Sequence, residues 1–359
     1  LKNVIIENPI LNYTTSLDTS SSDIKQKKKE TVSFVIDKSE KIPFEEHILN
    51  DEEEVTEFVE NTLNTLIPRD KKLWNLALIT LKSDPQSPYL VVTFDHCITD
   101  GQSCYKFFEL LLNAYQNLES QEVEHKCFIS EPVEASLNYR LGIKDIFYFL
   151  RHEFSKLFFP VTLNFAATAP LSKRGMKLLK VSFTPVQTDK IVELSRKNNT
   201  SLQGTIVAAL FFATAKHGDA KNNRFRFSCT TPVNMRKIAG ISESLLGVYA
   251  SAVGTTHNID SNTSFWSMAQ EIKQNIEQAK SDNLHLSSMY LFEFMQRALS
   301  DDFRMDFMEG KNMGRLFSSS VTNLGRIDLK QQYGDIRIKS FRFAVAQHGM
   351  GGSFTITPI

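Results

Sequence analysis

A single strand–turn–helix unit constrains this chain most. Pro88 to Phe94 is an apolar, β-branched run with strand character, and Asp95-His96-Cys97-Ile98-Thr99-Asp100-Gly101 follows it directly. Gln102 to Leu118 then places Phe107, Phe108, Leu111 and Leu112 at helical spacing. A strand that ends in a short turn and feeds a helix belongs to an α/β architecture. The turn also delivers a histidine and, four residues later, an aspartate followed by glycine, which permits a sharp change of direction.

The rest of the chain repeats the alternation. Short strand-like pieces lie at Val4–Ile6 and Val32–Ile36, separated by a Ser/Thr/Lys-rich stretch containing Lys25 and Lys27 to Lys29, taken as a solvated loop. Asp51 to Leu66 is a predicted helix with an acidic first turn, closed by Pro68. Leu73–Leu81 and Leu90–Phe94 are predicted strands. Asp145 to Phe159 is a Phe-rich amphipathic segment; it is taken as a core helix, though a surface helix meeting lipid or a long acyl chain has the same pattern. The pattern weakens between Pro160 and Lys173, which places a boundary there: a first lobe over 1–165 and a second over 166–359, with strands free to cross between them. In the second half, Lys177–Phe183, Arg224–Pro232, Val248–Gly254, Leu316–Asn323, Ile336–Ala346 and Ser353–Thr357 are predicted strands. Helices are predicted from Thr184-Pro185 and over Ser201–Ala215, Phe265–Lys280 and Ser287–Leu299. The expected fold is α/β, a sandwich with two sheets.

Composition narrows the function classes. Lys plus Arg and Asp plus Glu both number 41 over 359 residues, and this balance argues against a nucleic-acid partner. No run approaches the length of a membrane span, and no secretory signal is visible. The four cysteines (Cys97, Cys104, Cys127 and Cys229) form no Cys-x-x-Cys pair and are taken as reduced thiols in a cytoplasmic protein. No set of residues has metal-ligand spacing, and there is neither a phosphate loop nor a nucleophile elbow. The 27 phenylalanines against two tryptophans allow large dry surfaces, in a core or along an apolar tunnel. The chain begins at Leu1 and stops at Ile359 within a strand-like run, so long-range spacings are taken as minimum values.

His-x-x-x-Asp alone is a weak signal, because His47 to Asp51 also fits it. That copy lacks the glycine and precedes a helix that Asp51 caps, so His47 is assigned a structural role. His96 differs by its strand, its Asp-Gly and its small neighbours. On residues alone it is either a general base, for which an ordinary imidazole pKa near ~6.5 is suited, or a core histidine bonded to backbone. His257, in a polar stretch taken as a loop, and His348 are both taken as structural.

The run Phe94 to Ser103, leading into Phe107-Phe108, resembles the active-site motif of the CoA-dependent acyltransferase superfamily. That group includes chloramphenicol acetyltransferase, nonribosomal-peptide condensation domains, plant His-x-x-x-Asp acyltransferases, fungal alcohol acetyltransferases and mycobacterial polyketide-associated acyltransferases. Many members carry two adjacent histidines; here Asp95 replaces the first and His96 matches the base. Thr231 to Arg236 is similar to the family's Asn-x-Arg strand end, Leu246 to Ser251 to the Gly-containing stretch after it, and Ser319 to Gly325 to the Ser-Asn-x-Gly strand of the alcohol acetyltransferase and polyketide-associated branch. The plant branch's Asp-Phe-Gly-Trp-Gly motif has no match in Gln347 to Gly352.

The resemblance implies a two-lobed, chloramphenicol-acetyltransferase-like sandwich, each lobe a mixed sheet with flanking helices, and an active-site tunnel between the lobes. It implies transfer of an acyl group, acetyl as the first expectation, from acyl-CoA to a hydroxyl or amine of a small, apolar acceptor. His96 is then the general base, and Asp100, Gly101 and Arg236 are structural residues of the site; Asp100 pairs with an arginine, for which Arg236 is the candidate and Arg224, Arg226 and Arg326 stand as alternatives. Ser251, Ser320 and Asn323 are candidate oxyanion or tunnel donors. No permanently bound cofactor or metal is expected; acyl-CoA enters as co-substrate. A monomer is expected, with peripheral membrane contact open. Two other readings stand beside this one: a condensation-type enzyme using carrier-bound thioesters, and a catalytically degenerate binding or scaffold member.

Overall fold

Strand parity organises the first half of the molecule. In the strand Trp74–Leu81 (β4), Trp74 and Leu76 face one side while Ala77, Ile79 and Leu81 face the other, and all five are buried. A strand buried on both faces needs cover on both. Val55 and Phe58 of the helix Glu52–Leu63 (α2) cover the second face. The first face packs on Val4 of the helix Lys2–Glu7 (α1), on Ile10 and Leu11, and on Phe107 of the helix Gly101–Gln116 (α3). The Trp74 indole nitrogen donates to the Leu11 carbonyl at 2.7 Å, so the ring is buried with its polar atom satisfied. β4 pairs in parallel with Phe44–Leu49 (β3) and antiparallel with Tyr89–Phe94 (β5), giving the sheet order β3-β4-β5.

The computed structural model describes residues 1–18, 31–37, 39, 41–117, 133–137, 142–158, 161–162, 168–218, 224–290, 300–346 and 352–358. Tyr13–Asp18 (β1) and Thr31–Ile36 (β2) form an antiparallel pair. The helix Ile143–Phe158 (α5), after the short turn of helix Val133–Ser136 (α4), leads toward the second half.

The second half builds another mixed sheet. Phe225–Asn234 (β6) pairs antiparallel with Ala250–Ile259 (β7) and parallel with Phe317–Val321 (β8), which pairs in parallel with Gly352–Ile356 (β11). The short strands Gln332–Tyr333 (β9) and Ile336–Arg337 (β10) form a separate pair. Helices Pro185–Lys197 (α6), Leu202–His217 (α7) and Phe265–Ser281 (α9) flank this half, and Arg236–Ala239 (α8) is one turn. Thr184 caps α6 in a reciprocal capping box with Gln187, with Pro185 at the first helical position. Val207, Ala208 and Phe211 of α7 and Met268, Ala269 and Ile272 of α9 join Phe227 and Val253 of the sheet in one core. The architecture is the expected α/β arrangement with two mixed sheets.

Several local expectations are corrected. Val4–Ile6 is not a strand but part of α1: Val4 is 1% exposed while Ile6 is 54% exposed, a one-sided helical burial, and Pro9 follows directly. Lys177–Phe183 joins no sheet among the described residues. The amides of Met176 and Leu178 donate to Asn64 and Glu60 side chains at the end of α2, and Leu179, Val181 and Phe183 stand exposed. These same bonds involve the α2 terminus, which stops at Leu63 rather than at Leu66. Only Ile336–Arg337 of the predicted Ile336–Ala346 strand enters a ladder. α5 forms, but Ile143, Ile146, Phe147 and Leu150 are exposed, so its described apolar residues do not form the core face that the periodicity suggested. Periodicity specifies an apolar face and not what meets it. The basic run at 25–29, Cys127, residues 291–299 of the predicted Ser287–Leu299 helix and His348 lie outside the described residues.

Close helix packing rests on Gly204. A Cβ there would stand 2.5 Å from the Ala269 carbonyl oxygen and 2.6 Å from Thr200 Oγ1, and the Thr200 hydroxyl itself donates to the Ala269 carbonyl. Gly204→Ala is expected to force α7 off α9 and lower stability by about 1–3 kcal/mol, read as a fall in the urea midpoint at unchanged slope.

Candidate active site at the end of strand β5

β5 ends at Phe94, and the Asp95 amide continues the ladder one step by donating to the Leu73 carbonyl at 2.7 Å. The chain then turns. The Ile98 amide donates to the Asp95 carbonyl, and the Ile98 side chain, 1% exposed, anchors the turn in the first core. Asp100 is the N-cap of α3 and accepts the Ser103 amide at 2.9 Å. Between these anchors His96 and Cys97 are held outward, and both are exposed.

Asp100 does more than cap. Its carboxylate accepts Arg236 Nη1 at 2.8 Å and Nη2 at 3.1 Å, a two-pronged pair, and also the Tyr249 amide at 2.9 Å. Arg236 Nη2 donates further to Ser103 Oγ at 2.7 Å and to the Leu245 carbonyl at 3.2 Å. The guanidinium lies 4.7 Å from the centre of the Tyr249 ring. Both charged side chains are buried, at 3% and 1% exposure. Ser103 Oγ completes the hub by donating to the Gly247 carbonyl and accepting the Gly247 amide, and the Asp100 amide donates to that same carbonyl. The structure thus brings Asp100 and Arg236 together and adds Ser103, Gly247 and Tyr249. The stretch Leu246 to Ser251 was marked in the sequence, but its main-chain role had no side-chain signal.

Gly101 is required for space. It is already helical rather than at positive φ, which corrects the expectation that it provides a sharp change of backbone direction. A Cβ there would stand 2.6 Å from Leu324 Cδ2 and 3.3 Å from Phe343 Cζ. Gln102 Nε2 also reaches the Leu324 carbonyl at 3.4 Å. Segments more than 200 residues away in sequence therefore close directly onto the start of α3.

The three candidate donors have bonds of their own. The Ser251 hydroxyl donates to the His285 carbonyl, so its proton is committed there. Ser320 Oγ, on β8, accepts the Gly352 amide at 3.3 Å, and Asn323 Oδ1 accepts the Gly325 amide at 2.8 Å. His47 sits on β3 against Phe58, 3.2 Å from Glu45, with nothing of a site around it. His257 is not in a loop. It lies on β7, 1% exposed, with Nδ1 2.8 Å from Glu271, because the alternation of β7 turns it inward with Val253, Thr255 and Ile259. Among the described residues no group of three His, Cys, Asp or Glu side chains is placed to hold a metal, and no helix is long and apolar enough to cross a membrane.

Asp95 carries an interaction that sequence reasoning missed. Its Oδ2 accepts Arg69 Nε at 2.8 Å, and its Oδ1 accepts the Cys97 amide at 3.0 Å. Burial pushes the Asp95 carboxyl up, but Arg69 and the Cys97 amide outweigh it and hold the group below the usual carboxylate range. No signal in the sequence joins Arg69 to Asp95, 26 residues apart.

Two outcomes follow from this geometry. Asp100→Asn would leave a buried guanidinium without its counter-charge, and a loss of about 3–5 kcal/mol is expected in chemical denaturation. Although Cys97 is exposed as a residue, desolvation of its sulfur within the turn, with the neighbouring Asp95, pushes its thiol up to about 12. With a thiolate fraction of about 10⁻⁴ at pH 8, iodoacetamide is expected to label Cys97 far more slowly than a free cysteine, read by peptide mass spectrometry.

Comparisons with known proteins bear on the family and the fold. The profile of the phthiocerol/phthiodiolone dimycocerosyl transferase C-terminus matches residues 172–353. No curated protein matches the chain. Among solved structures, the first condensation domain of the CDA synthetase superposes with a TM-score of 0.61 at 15% identity, covering 93% of this chain and 72% of that one. Polyketide synthase associated protein 5 from Mycobacterium tuberculosis gives 0.58 at 14% identity, over 93% of this chain and 74% of that one. The epimerization domain from the third module of tyrocidine synthetase B gives 0.56 at 12% identity, over 99% and 79%. The fold is therefore the two-lobed one of condensation domains and their acyltransferase relatives. Because the profile match spans more than half of the chain, the protein belongs to the phthiocerol/phthiodiolone dimycocerosyl transferase C-terminus family of polyketide-associated acyltransferases.

Proposed function

We propose that this protein transfers an acyl group, acetyl in the first instance, from acyl-CoA to a hydroxyl or amine of a small apolar acceptor, with His96 as general base. The observation that carries this reading is an exposed imidazole on a turn whose two ends are tied down, by Ile98 in the core and by Asp100 on Arg236. A base must meet its substrate in open space yet stay fixed in direction.

The chemistry needs little else. The acceptor's O–H or N–H proton passes to the His96 ring nitrogen as the heteroatom attacks the thioester carbonyl. Collapse of the tetrahedral intermediate breaks the C–S bond, and the departing thiolate takes the proton back from the imidazolium. No acyl-enzyme is required, because the thioester is already activated. Asp100 and Arg236 act as structural residues of the site, and Gly101 lets Leu324 and Phe343 approach. For the oxyanion, Ser320 and Asn323 fit better than Ser251, since both accept in the bonds described while Ser251 donates its proton elsewhere. The reaction is assigned to a reducing, cytoplasmic setting, in keeping with the free thiols of Cys97, Cys104 and Cys229. The fold shared with condensation domains supports a second reading, in which the thioester arrives on a carrier protein. Giving the enzyme free acyl-CoA and an acylated carrier side by side separates the two by rate.

His96→Ala is expected to lower turnover by ~10²–10⁴-fold with the melting temperature unchanged. Free thiol release and product mass would be followed together over a panel of alcohols and amines. Undiminished transfer in the variant would end the assignment.

A further inference from the structure

Asp95 stands directly before His96, and an ionised carboxylate in that place has two directions open to it. Turned toward the imidazole, it would accept the ring N–H and favour the protonated ring, which takes no further proton. In the structure its bonds go to Arg69 and to the Cys97 amide. Asp95 Oδ2 accepts Arg69 Nε at 2.8 Å, and Oδ1 lies 3.5 Å from Arg69 Nη2 and accepts the Cys97 amide at 3.0 Å. The Asp95 side chain is 12% exposed and the Arg69 side chain 60%, so the carboxylate is sheltered while solvent reaches the pair from the arginine side. Arg69 is placed by its own backbone: its carbonyl accepts the Thr15 amide at 2.7 Å and the Thr15 hydroxyl at 3.0 Å, both from β1. The other charges at this turn, Asp100 and Arg236, already satisfy each other. Arg69 is thus the cation that holds the carboxylate beside the candidate base.

We infer that Arg69 is a positioning residue for acyl transfer, drawing the Asp95 carboxylate away from His96 and keeping the imidazole free to receive the acceptor's proton. This rests on the reading of His96 as the base. An ion pair that merely stabilised the turn would be lost equally on removing either partner. A pair that restrains a carboxylate behaves differently, because only the loss of Arg69 sets the carboxylate free.

The test compares Arg69→Ala, Arg69→Lys, Asp95→Asn and the double variant Arg69→Ala/Asp95→Asn in the full chain. Turnover is measured with acetyl-CoA and an alcohol, and His96 reactivity by carbethoxylation with diethyl pyrocarbonate at pH 7, read by peptide mass spectrometry. Arg69→Ala is expected to lower kcat about tenfold with KM held within about twofold, and to slow carbethoxylation of His96. Asp95→Asn and the double variant should both react near wild-type rates, and Arg69→Lys should recover much of the loss. A double variant as slow as Arg69→Ala in both measurements, or an Arg69→Ala protein indistinguishable from wild type, would overturn the inference. Failure of the functional reading looks different: no transfer by wild type, or full transfer by His96→Ala. The carbethoxylation rates decide the role of Arg69 in either case.

Discussion

The buried Asp100–Arg236 pair is the constraint on which the site depends. Two charges withdrawn from water are tolerated only when each is heavily hydrogen-bonded. Here the carboxylate accepts two guanidinium bonds and the amides of Ser103 and Tyr249, and the guanidinium also reaches Ser103 Oγ and the Leu245 carbonyl. These partners come from α3, from the turn after β6 and from the strand entry before β7. The pair therefore works as a junction between the two halves, and the turn bearing His96 is fixed by the same bonds that join them.

The sheet behind the turn supplies the second restraint. β4 is covered on both faces, and β5 lies against it in antiparallel register from Trp74–Phe94 to Ile79–Tyr89. Trp74, Phe94 and Phe107 meet in edge and stacked contacts at 5.3–6.3 Å. Strand β5 and helix α3 are thereby locked to one aromatic cluster, and the six residues between them have little freedom. A functional turn carried on two rigid elements is a precise way to aim one side chain.

Legibility followed the range of each interaction. The N-caps at Asp51 and Thr184 and the strands β4 and β5 were visible because their causes lie within a few residues. The segment Lys177–Phe183 misled for the opposite reason: its alternation is real, yet its amides go to Asn64 and Glu60 rather than to a strand. α5 and His257 misled in the same way. The described apolar residues of one stand exposed, and the polar neighbours of the other hide an inward parity on β7. Arg69 carried no signal at all, because nothing local distinguishes an arginine that will find a carboxylate.

By itself, the amino-acid sequence determined that a histidine would stand at the end of a strand, four residues before an acid at the head of the next helix. Hydrophobic alternation and capping are short-range, so they are written in adjacent residues. The tertiary structure alone decided what closes onto residue 101 and that Asp95 meets Arg69. Those are matters of charge and close approach between distant segments, and they acquire a value only once the chain has brought its surfaces together.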